Sequence, residues 1–196
     1  MRIAIIGSGY VGLVSGVCLS EFGHDVVCID KAADKIAQLN RGQVPIFEPG
    51  LDDLIHKNVA AGRLHFTTEI AEPVANADVV FLAVGTPSRK SDGHADLTYV
   101  LGAAREVAAA VRGFTVIVTK STVPVGTGDQ LERIIREVNP AADVAVVSNP
   151  EFLREGAAID DFMAPDRVVV GMNDDRARPI MAEVYGALDP VRHPVL

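Results

Sequence analysis

The chain has 196 residues, of which 48% are apolar, and it carries a net charge of −8. This length favours a single domain, and the apolar content is typical of a globular chain with a full core. The negative charge argues against a surface that binds nucleic acid or an anionic membrane, so we expect neither partner. It does not argue against a phosphorylated ligand, because a helix N-terminus binds anions locally.

The two cysteines, Cys18 and Cys28, each fall within an apolar stretch. We predict that both are small buried residues, neither disulfide-bonded nor catalytic. We find no secretion-type segment and no apolar run long enough to span a membrane. Together with two thiols, this favours a reducing, cytoplasmic location, and no metal site is predicted.

The first thirty residues contain the most informative pattern. A short apolar run at 2–6 leads into G-S-G-Y-V-G at 7–12, a helix is predicted over 10–22, and a second apolar run at 25–29 ends on Asp30. A strand, a glycine-rich turn, a helix and a second strand ending on an acid are the expected context of a dinucleotide-binding site.

Each residue of this pattern has a physical role. Gly7 allows the tight turn, Gly9 lets the backbone approach a pyrophosphate, and Gly12 lets the helix pack closely on the strand. Asp30 lies 21 residues after Gly9, can accept hydrogen bonds from ribose hydroxyls and would repel a 2′-phosphate. This favours NAD over NADP, although the neighbouring Lys31 weakens the preference. The alternative is that the glycines serve tight packing alone.

Strands and helices alternate along the rest of the chain. This alternation predicts an α/β fold of Rossmann type, a doubly wound, mostly parallel sheet with helices on both faces. Helices are predicted over 32–41, 51–61, 70–76 (broken by Pro73), 96–111, 128–138 (with Leu131, Ile134, Ile135 and Val138 on one face) and 176–187. Strands are predicted over 64–67, 78–84, 114–119, 143–148 and 167–171. Residues 88–95, which include Lys90, Asp92 and Gly93, are predicted to form a mobile polar loop. Residues 157–165 are predicted to be irregular, and 190–196 to begin a further element.

The loops that follow the strands should gather at one edge of the sheet, where ligands of such folds bind. Thr86 follows one strand, a hydroxyl-rich loop at 120–128 follows the next, and 149–156 brings two carboxylates and an arginine to the end of a third. Alternatively, Thr86 belongs to an ordinary turn, 149–156 is a surface helix start with an i, i+4 pair of glutamates, and Lys35 is a solvated surface lysine.

Five motifs occur in a fixed order between residues 7 and 156. They resemble the UDP-glucose/GDP-mannose dehydrogenase family, the resemblance covers the whole chain, and the second motif is more similar to the UDP-glucose branch of the family. The motifs are G-S-G-Y-V-G at 7–12 with Asp30, I-F-E-P-G-L at 46–51, V-G-T-P at 84–87, K-S-T-V-P-V-G-T at 120–127 and N-P-E-F-L-R-E-G at 149–156.

The resemblance implies oxidation of the C6 alcohol of UDP-glucose to the carboxylate of UDP-glucuronate, with two NAD+ and one water. An aldehyde would form first, a cysteine would capture it as a thiohemiacetal, and a thioester would then be hydrolysed. The alternatives are GDP-mannose or a UDP-N-acetylhexosamine as substrate, or a stand-alone NAD-binding module with a regulatory role.

The resemblance also implies roles for individual residues. Glu151 would act as acid and base in the thioester step, and Thr122 would help to hold a catalytic water. NAD would be bound by Gly7, Gly9, Tyr10, Val11, Gly12, Asp30, Lys35, Thr86, Thr122 and Glu155, and the nucleotide sugar by Glu151, Phe152, Leu153, Arg154 and Glu155.

The family's nucleophilic cysteine, its substrate-binding lysine and asparagine, its central dimer helix and its carboxyl-terminal sugar-nucleotide domain have no match in this sequence. We therefore expect residues 1–196 to be one NAD(P)-binding Rossmann-like domain, the amino-terminal part of a longer enzyme. The isolated domain is expected to be a monomer that binds NAD without completing the oxidation, and the full-length enzyme a homodimer.

Overall fold

The alternating segments build one seven-stranded sheet with helices on both faces in the computed structural model, which describes residues 1–89 and 95–196. The strands of this part of the chain are β1 Arg2–Ile6, β2 Asp25–Ile29, β3 Leu64–Thr67, β4 Val79–Leu82, β5 Thr115–Thr119, β6 Val144–Ser148 and β7 Gly171–Met172. The helices are α1 Tyr10–Glu21, α2 Ala33–Asn40, α3 Leu51–Ala60, α4 Ala71–Asn76, α5 Thr98–Ala110, α6 Thr127–Val138, α7 Ala158–Met163 and α8 Ala177–Val184.

The strand order is β3-β2-β1-β4-β5-β6-β7. Strands β1 to β6 are parallel, and only β7 runs antiparallel to its neighbour β6. The winding direction reverses at β1, which lies between β2 and β4, so a crevice is expected outside the ends of these strands. Ile6 at the end of β1 pairs with both Ile29 and Leu82, so the three strands end level. The predicted fold class is confirmed.

The core has two layers because successive side chains of a strand point to opposite faces. Ile3 and Ile5 of β1 pack into one layer, with apolar residues of α1, α2, α3, α7 and α8. Ala4 and Ile6 pack into the other, with α4, α5 and α6. Every residue of the central strand β4 is buried, as expected of a strand covered on both faces.

Four sequence-based expectations were wrong. Pro73 does not break α4, because it lies in the first turn, where its missing N–H group costs no helical hydrogen bond. Val138 is 41% exposed and leaves the buried face of α6. Residues 157–165 contain α7, whose Phe162 ring packs 5.9 Å from that of Phe22. Of the strand predicted over 167–171, only Gly171 belongs to a strand, β7.

The segments around these differences pair in ways that local pattern does not reveal. Val168 makes an isolated parallel bridge with Val195, so the stretch at 190–196 lies along the 167–171 segment. Ser88 and Ala95 form an antiparallel bridge at the base of the predicted polar loop. The loop residues Lys90, Asp92 and Gly93, on which the prediction of mobility rested, lie outside the described residues.

Both cysteines are buried and free, as predicted. Among the helices described, none is long and apolar enough to cross a membrane.

Gly16 sets the distance between α1 and the sheet. A Cβ atom at this position would lie 2.5 Å from the Cys28 sulfur and 3.2 Å from Cδ1 of Ile5. Both neighbours are fully buried side chains of the sheet, so neither can move freely aside. The helix therefore packs against β1 and β2 at a distance that only a glycine permits.

We predict that Gly16→Ala lowers the free energy of unfolding by about 1–3 kcal/mol, because the added methyl group overpacks the core. Gly102→Ala is the matched control, because a Cβ atom there meets nothing within 4 Å. Within helix α5 that control should instead stabilise the chain by about 0.5–1 kcal/mol. Urea denaturation of both variants measures the two changes, and similar values for both would contradict the close packing at Gly16.

Candidate functional site

The glycine-rich loop after β1 is shaped by two close backbone approaches. Gly7 has φ +101°, and a Cβ atom there would lie 2.8 Å from the Ala83 carbonyl oxygen. A Cβ atom on Gly12 would lie 1.9 Å from the Gly7 carbonyl oxygen, so Gly12 packs the helix on the loop itself. Around Gly9 nothing lies within 4 Å of the Cβ position. The loop is therefore closed on its inner side and open to a ligand at Gly9.

The N-terminus of α1 presents free backbone donors at this opening. Gly9 is the N-cap, no side chain caps the helix, and the first turn carries no acidic residue. The first helical hydrogen bond runs from the Leu13 amide to the Gly9 carbonyl, at 2.9 Å. The amides of Tyr10, Val11 and Gly12 precede that bond and can donate to a phosphate, which the helix dipole also favours.

Asp30 lies at the end of β2, directly beside the glycine loop. Its Oδ2 atom accepts hydrogen bonds from the Ser8 amide at 2.9 Å, the Ser8 hydroxyl at 3.1 Å and the Lys35 ammonium at 2.9 Å. Its Oδ1 atom accepts one from the Ala32 amide at 2.9 Å. The carboxylate therefore links the loop after β1 to the start of α2, and it brings together the predicted residues Asp30 and Lys35.

These contacts keep Asp30 ionised. Burial raises the pKa of its carboxyl group, but the hydrogen bonds from Lys35, Ala32 and Ser8 outweigh burial and lower the pKa to about 2. A fixed negative charge at this position suits a ribose with two free hydroxyls and opposes a 2′-phosphate. The neighbouring Lys31 pairs with Glu106 on α5 rather than with Asp30.

A cavity of about 620 Å³ runs from the glycine loop along the ends of β1, β2 and β4. This volume lies within the range of small-molecule sites, roughly 300–1,000 Å³. Four of the predicted cofactor residues line it, namely Gly7, Gly9, Asp30 and Lys35, with Tyr99, Ala103 and Glu106 of α5 on the opposite side. The structure thus places these four at one crevice, the crevice expected at the switch point of the sheet.

Thr86 and Thr122 meet further along the same edge of the sheet. The Thr86 hydroxyl donates to the Thr122 carbonyl oxygen at 3.1 Å. The hydroxyl of Ser121 donates to the Val84 carbonyl oxygen at 2.6 Å, which holds the loops after β4 and β5 together. Neither threonine lines the 620 Å³ cavity. The two residues lie at the same edge of the sheet but outside the cavity wall.

The segment after β6 lines a second cavity, of about 770 Å³. Glu151, Phe152, Leu153 and Arg154 contribute to its wall, and Glu155 does not. Glu151 accepts a hydrogen bond from the Leu153 amide at 2.6 Å, which holds its side chain against its own turn. Four of the ten predicted cofactor residues therefore line one cavity, and four of the five predicted sugar residues line a different one.

The other predicted residues of this segment differ in how they are held. The Arg154 guanidinium pairs with Asp161 of α7 at 2.6 Å while most of its side chain remains exposed. The Phe152 side chain is 65% exposed. A free aromatic face and a fixed guanidinium at a strand end are suited to contacts with a ligand or with further protein.

Lys120 is a buried residue of this region for which sequence reasoning gave no individual role. Its ammonium donates to Asn149 Oδ1 and to the Tyr185 hydroxyl, both at 3.2 Å. It also lies 5.3 Å from the centroid of the Phe162 ring. The signal in the sequence was a lysine placed directly after a strand rich in valine and isoleucine, but its partner Tyr185 lies 65 residues away.

Burial lowers the pKa of Lys120 to about 8, and Glu151 and Cys18 oppose this effect. The unfolded chain releases the same proton only near its ordinary pKa, about 10.4. From about pH 8 upward the folded state therefore holds fewer protons at Lys120 than the unfolded state. The contribution of Lys120 to the free energy of unfolding therefore increases with pH between the folded-state pKa of about 8 and the ordinary lysine pKa of about 10.4.

We predict that the stability of the wild type relative to Lys120→Met increases between about pH 8 and about pH 9.5, by up to about 1.4 kcal/mol per pH unit. Comparing the two proteins cancels the titration of all other groups that the substitution leaves unchanged. Urea denaturation at several pH values measures the difference. A difference that stays constant across this window would contradict a buried lysine with a lowered pKa.

Glu48 is a second buried residue that received no role from the sequence, although it lies within the 46–51 motif. Its carboxylate accepts hydrogen bonds from the Tyr10 hydroxyl at 2.5 Å, the Gly156 amide at 2.8 Å and the Ala158 amide at 2.9 Å. It therefore connects α1 to the segment after β6. Such a link between residues 38 and 110 positions apart cannot be found from local spacing.

Comparison with known proteins agrees with this geometry. The model of the UDP-glucose/GDP-mannose dehydrogenase family, NAD binding domain, matches residues 1–189. A UDP-glucose 6-dehydrogenase of Rhizobium meliloti is 68% identical over 190 residues, which are 96% of this chain and 44% of that protein. The UDP-glucose 6-dehydrogenase YwqF of Bacillus subtilis is 51% identical and covers 94% of this chain and 42% of its own length.

Solved structures show the same relationship. A ternary complex of GDP-mannose dehydrogenase from Pseudomonas aeruginosa superposes with a TM-score of 0.94 at 39% identity, over 100% of this chain and 46% of that one. A UDP-glucose dehydrogenase from Pyrobaculum islandicum superposes with a TM-score of 0.93 at 41% identity, over 99% of this chain and 45% of that one.

The chain spans less than half the length of the curated relatives and solved structures it matches. The family model, by contrast, matches nearly all of this chain. The chain belongs to the UDP-glucose/GDP-mannose dehydrogenase family, as an NAD-binding domain of that family with NAD as its cofactor.

Proposed function

We propose that this chain is the cofactor-binding part of an enzyme that oxidises UDP-glucose to UDP-glucuronate with two NAD+ and one water. The observation that carries the proposal is the ionised Asp30 carboxylate beside the open Gly9, at the rim of the 620 Å³ cavity. The preference for UDP-glucose rests on the relative from Rhizobium meliloti, a UDP-glucose 6-dehydrogenase 68% identical to this chain.

The residues present fit NAD. The open space at Gly9 and the amides of Tyr10 and Val11 would hold the pyrophosphate. Asp30 and Lys35 would hold the adenosine ribose, and Thr86, Thr122 and Glu155 would lie along the nicotinamide side. When bound, NAD+ supplies the acceptor for the hydride that leaves C6 of the sugar. These residues orient that acceptor at the edge of the sheet.

The nucleotide sugar would lie against the segment after β6. Phe152 to Glu155 would line its site, with the Phe152 ring exposed for contact and Arg154 fixed by Asp161. Glu151 would move protons in the thioester step, and the hydrogen bond from the Leu153 amide fixes its carboxylate at the strand end. Thr122 would help to hold the water that this step consumes.

Neither cysteine of this chain suits the nucleophile that the family uses. Burial raises the pKa of Cys18 and of Cys28 to about 12 in each case, so the reactive thiolate does not form at neutral pH. The cysteine that captures the aldehyde would therefore come from outside residues 1–196. We accordingly propose that this chain binds NAD alone and oxidises UDP-glucose only within a longer, homodimeric protein.

We predict that Asp30→Asn weakens NAD+ binding about 10- to 100-fold, because hydrogen bonds from the ribose to a charged acceptor are worth about 1.5–3 kcal/mol. Asp34→Asn is the matched control, since Asp34 is an exposed acid on α2, four residues after Asp30, and it should change the affinity less than about twofold. Isothermal titration calorimetry measures both. Equal affinities of the Asp30→Asn variant and the wild type would remove Asp30 from the ribose site.

The substrate is tested by turnover of the full-length polypeptide with UDP-glucose, GDP-mannose and UDP-N-acetylmannosamine. We expect two NADH per molecule of UDP-glucose, little turnover of the other two sugars, and none by residues 1–196 alone. Preferred turnover of GDP-mannose would assign the chain to the activity named for the Pseudomonas aeruginosa structure. Absence of turnover with all three, in a protein that binds NAD+, would favour a regulatory NAD-binding role.

A further inference from the structure

Glu48 is a buried carboxylate in the loop between α2 and α3, with an exposed fraction of 6%. Its recorded donors are a phenol and backbone amides. The Tyr10 hydroxyl and the Gly156 amide donate to Oε2, and the Ala158 amide donates to Oε1. Burial would raise the pKa of Glu48, but the hydrogen bonds from Tyr10, Gly156 and Ala158 outweigh burial and lower it. The group is therefore ionised, and each donor helps to hold its charge.

The donors belong to two segments with different proposed roles. Tyr10 is the first residue of α1 and follows Gly9, where the pyrophosphate would lie. Gly156 directly follows the segment proposed to line the sugar site, and Ala158 is the first residue of α7. Glu48 itself belongs to neither segment. It is thus a single charged group between the cofactor loop and the sugar segment.

The Glu48 carboxylate also replaces the cap that α7 lacks. The N-cap residue of this helix, Ala157, provides no side-chain hydrogen bond. The Ala158 amide at the helix start donates to Glu48 instead, and a negative charge at a helix N-terminus is favourable. The position of α7 and of the turn before it therefore depends on how firmly Glu48 is held.

The hydrogen bond from Tyr10 is one of the contacts that hold the Glu48 carboxylate in place. A ligand phosphate on the amides at the start of α1 would restrict the motion of the first turn, and with it the Tyr10 ring. The Tyr10 hydroxyl would then hold Oε2 of Glu48 in the position that the Gly156 amide requires. Ligand binding that restricts one segment can in this way reduce local opening of a second segment connected to it.

We propose that Glu48 is a positioning residue that transmits occupancy of the NAD site, through Tyr10, to the segment 154–160. The inference rests on the proposed function for the role of that segment in holding the nucleotide sugar. The predicted consequence is that NAD+ reduces local opening of the sugar segment, although the two sites occupy separate cavities.

Hydrogen–deuterium exchange of residues 1–196, with and without saturating NAD+, tests the proposal. In the wild type we expect NAD+ to slow exchange several-fold in peptides covering 154–160. In Tyr10→Phe, compared at its own saturating NAD+ concentration, this slowing should be lost while protection of the glycine loop remains. In Glu48→Gln, exchange at 154–160 should be faster even without NAD+, because the side-chain amide no longer matches all the donors.

Asp53→Asn is the control, because Asp53 is exposed on α3 close to Glu48 in sequence, and it should behave as the wild type. Slowing at 154–160 that persists in Tyr10→Phe would overturn the inference and leave the cofactor assignment intact, since direct contact of NAD with Glu155 would survive this change. Absence of saturable NAD+ binding by folded wild type would instead overturn the cofactor assignment. If Glu48→Gln fails to fold, the effect of NAD+ on exchange at 154–160 in Tyr10→Phe and in the wild type still tests the proposal.

Discussion

The structure depends most on how closely helix α1 approaches the sheet. Three glycines make this possible, because a Cβ atom on Gly7, Gly12 or Gly16 would lie within 2.8 Å of a neighbouring atom. The helix begins immediately after β1 as a result, and its N-terminal amides reach the edge where β1, β2 and β4 end. The proposed anion site is therefore a consequence of packing that requires the absence of side chains.

Two ionised carboxylates then connect the loops that gather at this edge. Asp30 joins the glycine loop to the start of α2, and Glu48 joins α1 to the segment after β6. In both, hydrogen bonds from nearby donors outweigh the effect of burial and keep the pKa low. The same kind of interaction thus serves the two proposed tasks, selection of the ribose by Asp30 and alignment of two functional segments by Glu48.

The sequence was sufficient to predict what local pattern determines. The buried strands were found from apolar runs, and Asp30 was found from its distance to the glycines. Helix α7 was missed because it is only 6 residues long and ends just before Pro165, too short for a periodic pattern. Glu48 and Lys120 could not be assigned roles, because their partners lie far along the chain and are brought close only by the fold.

The central claim is that the glycine loop and Asp30 form a working site that selects NAD. Calorimetric titration of this chain with NAD+ and separately with NADP+ tests it most directly. The account predicts saturable binding of one NAD+ per chain and at least about tenfold weaker binding of NADP+, because the 2′-phosphate would lie against the ionised Asp30. No saturable binding of NAD+ by a folded sample, or equal affinity for both dinucleotides, would contradict it.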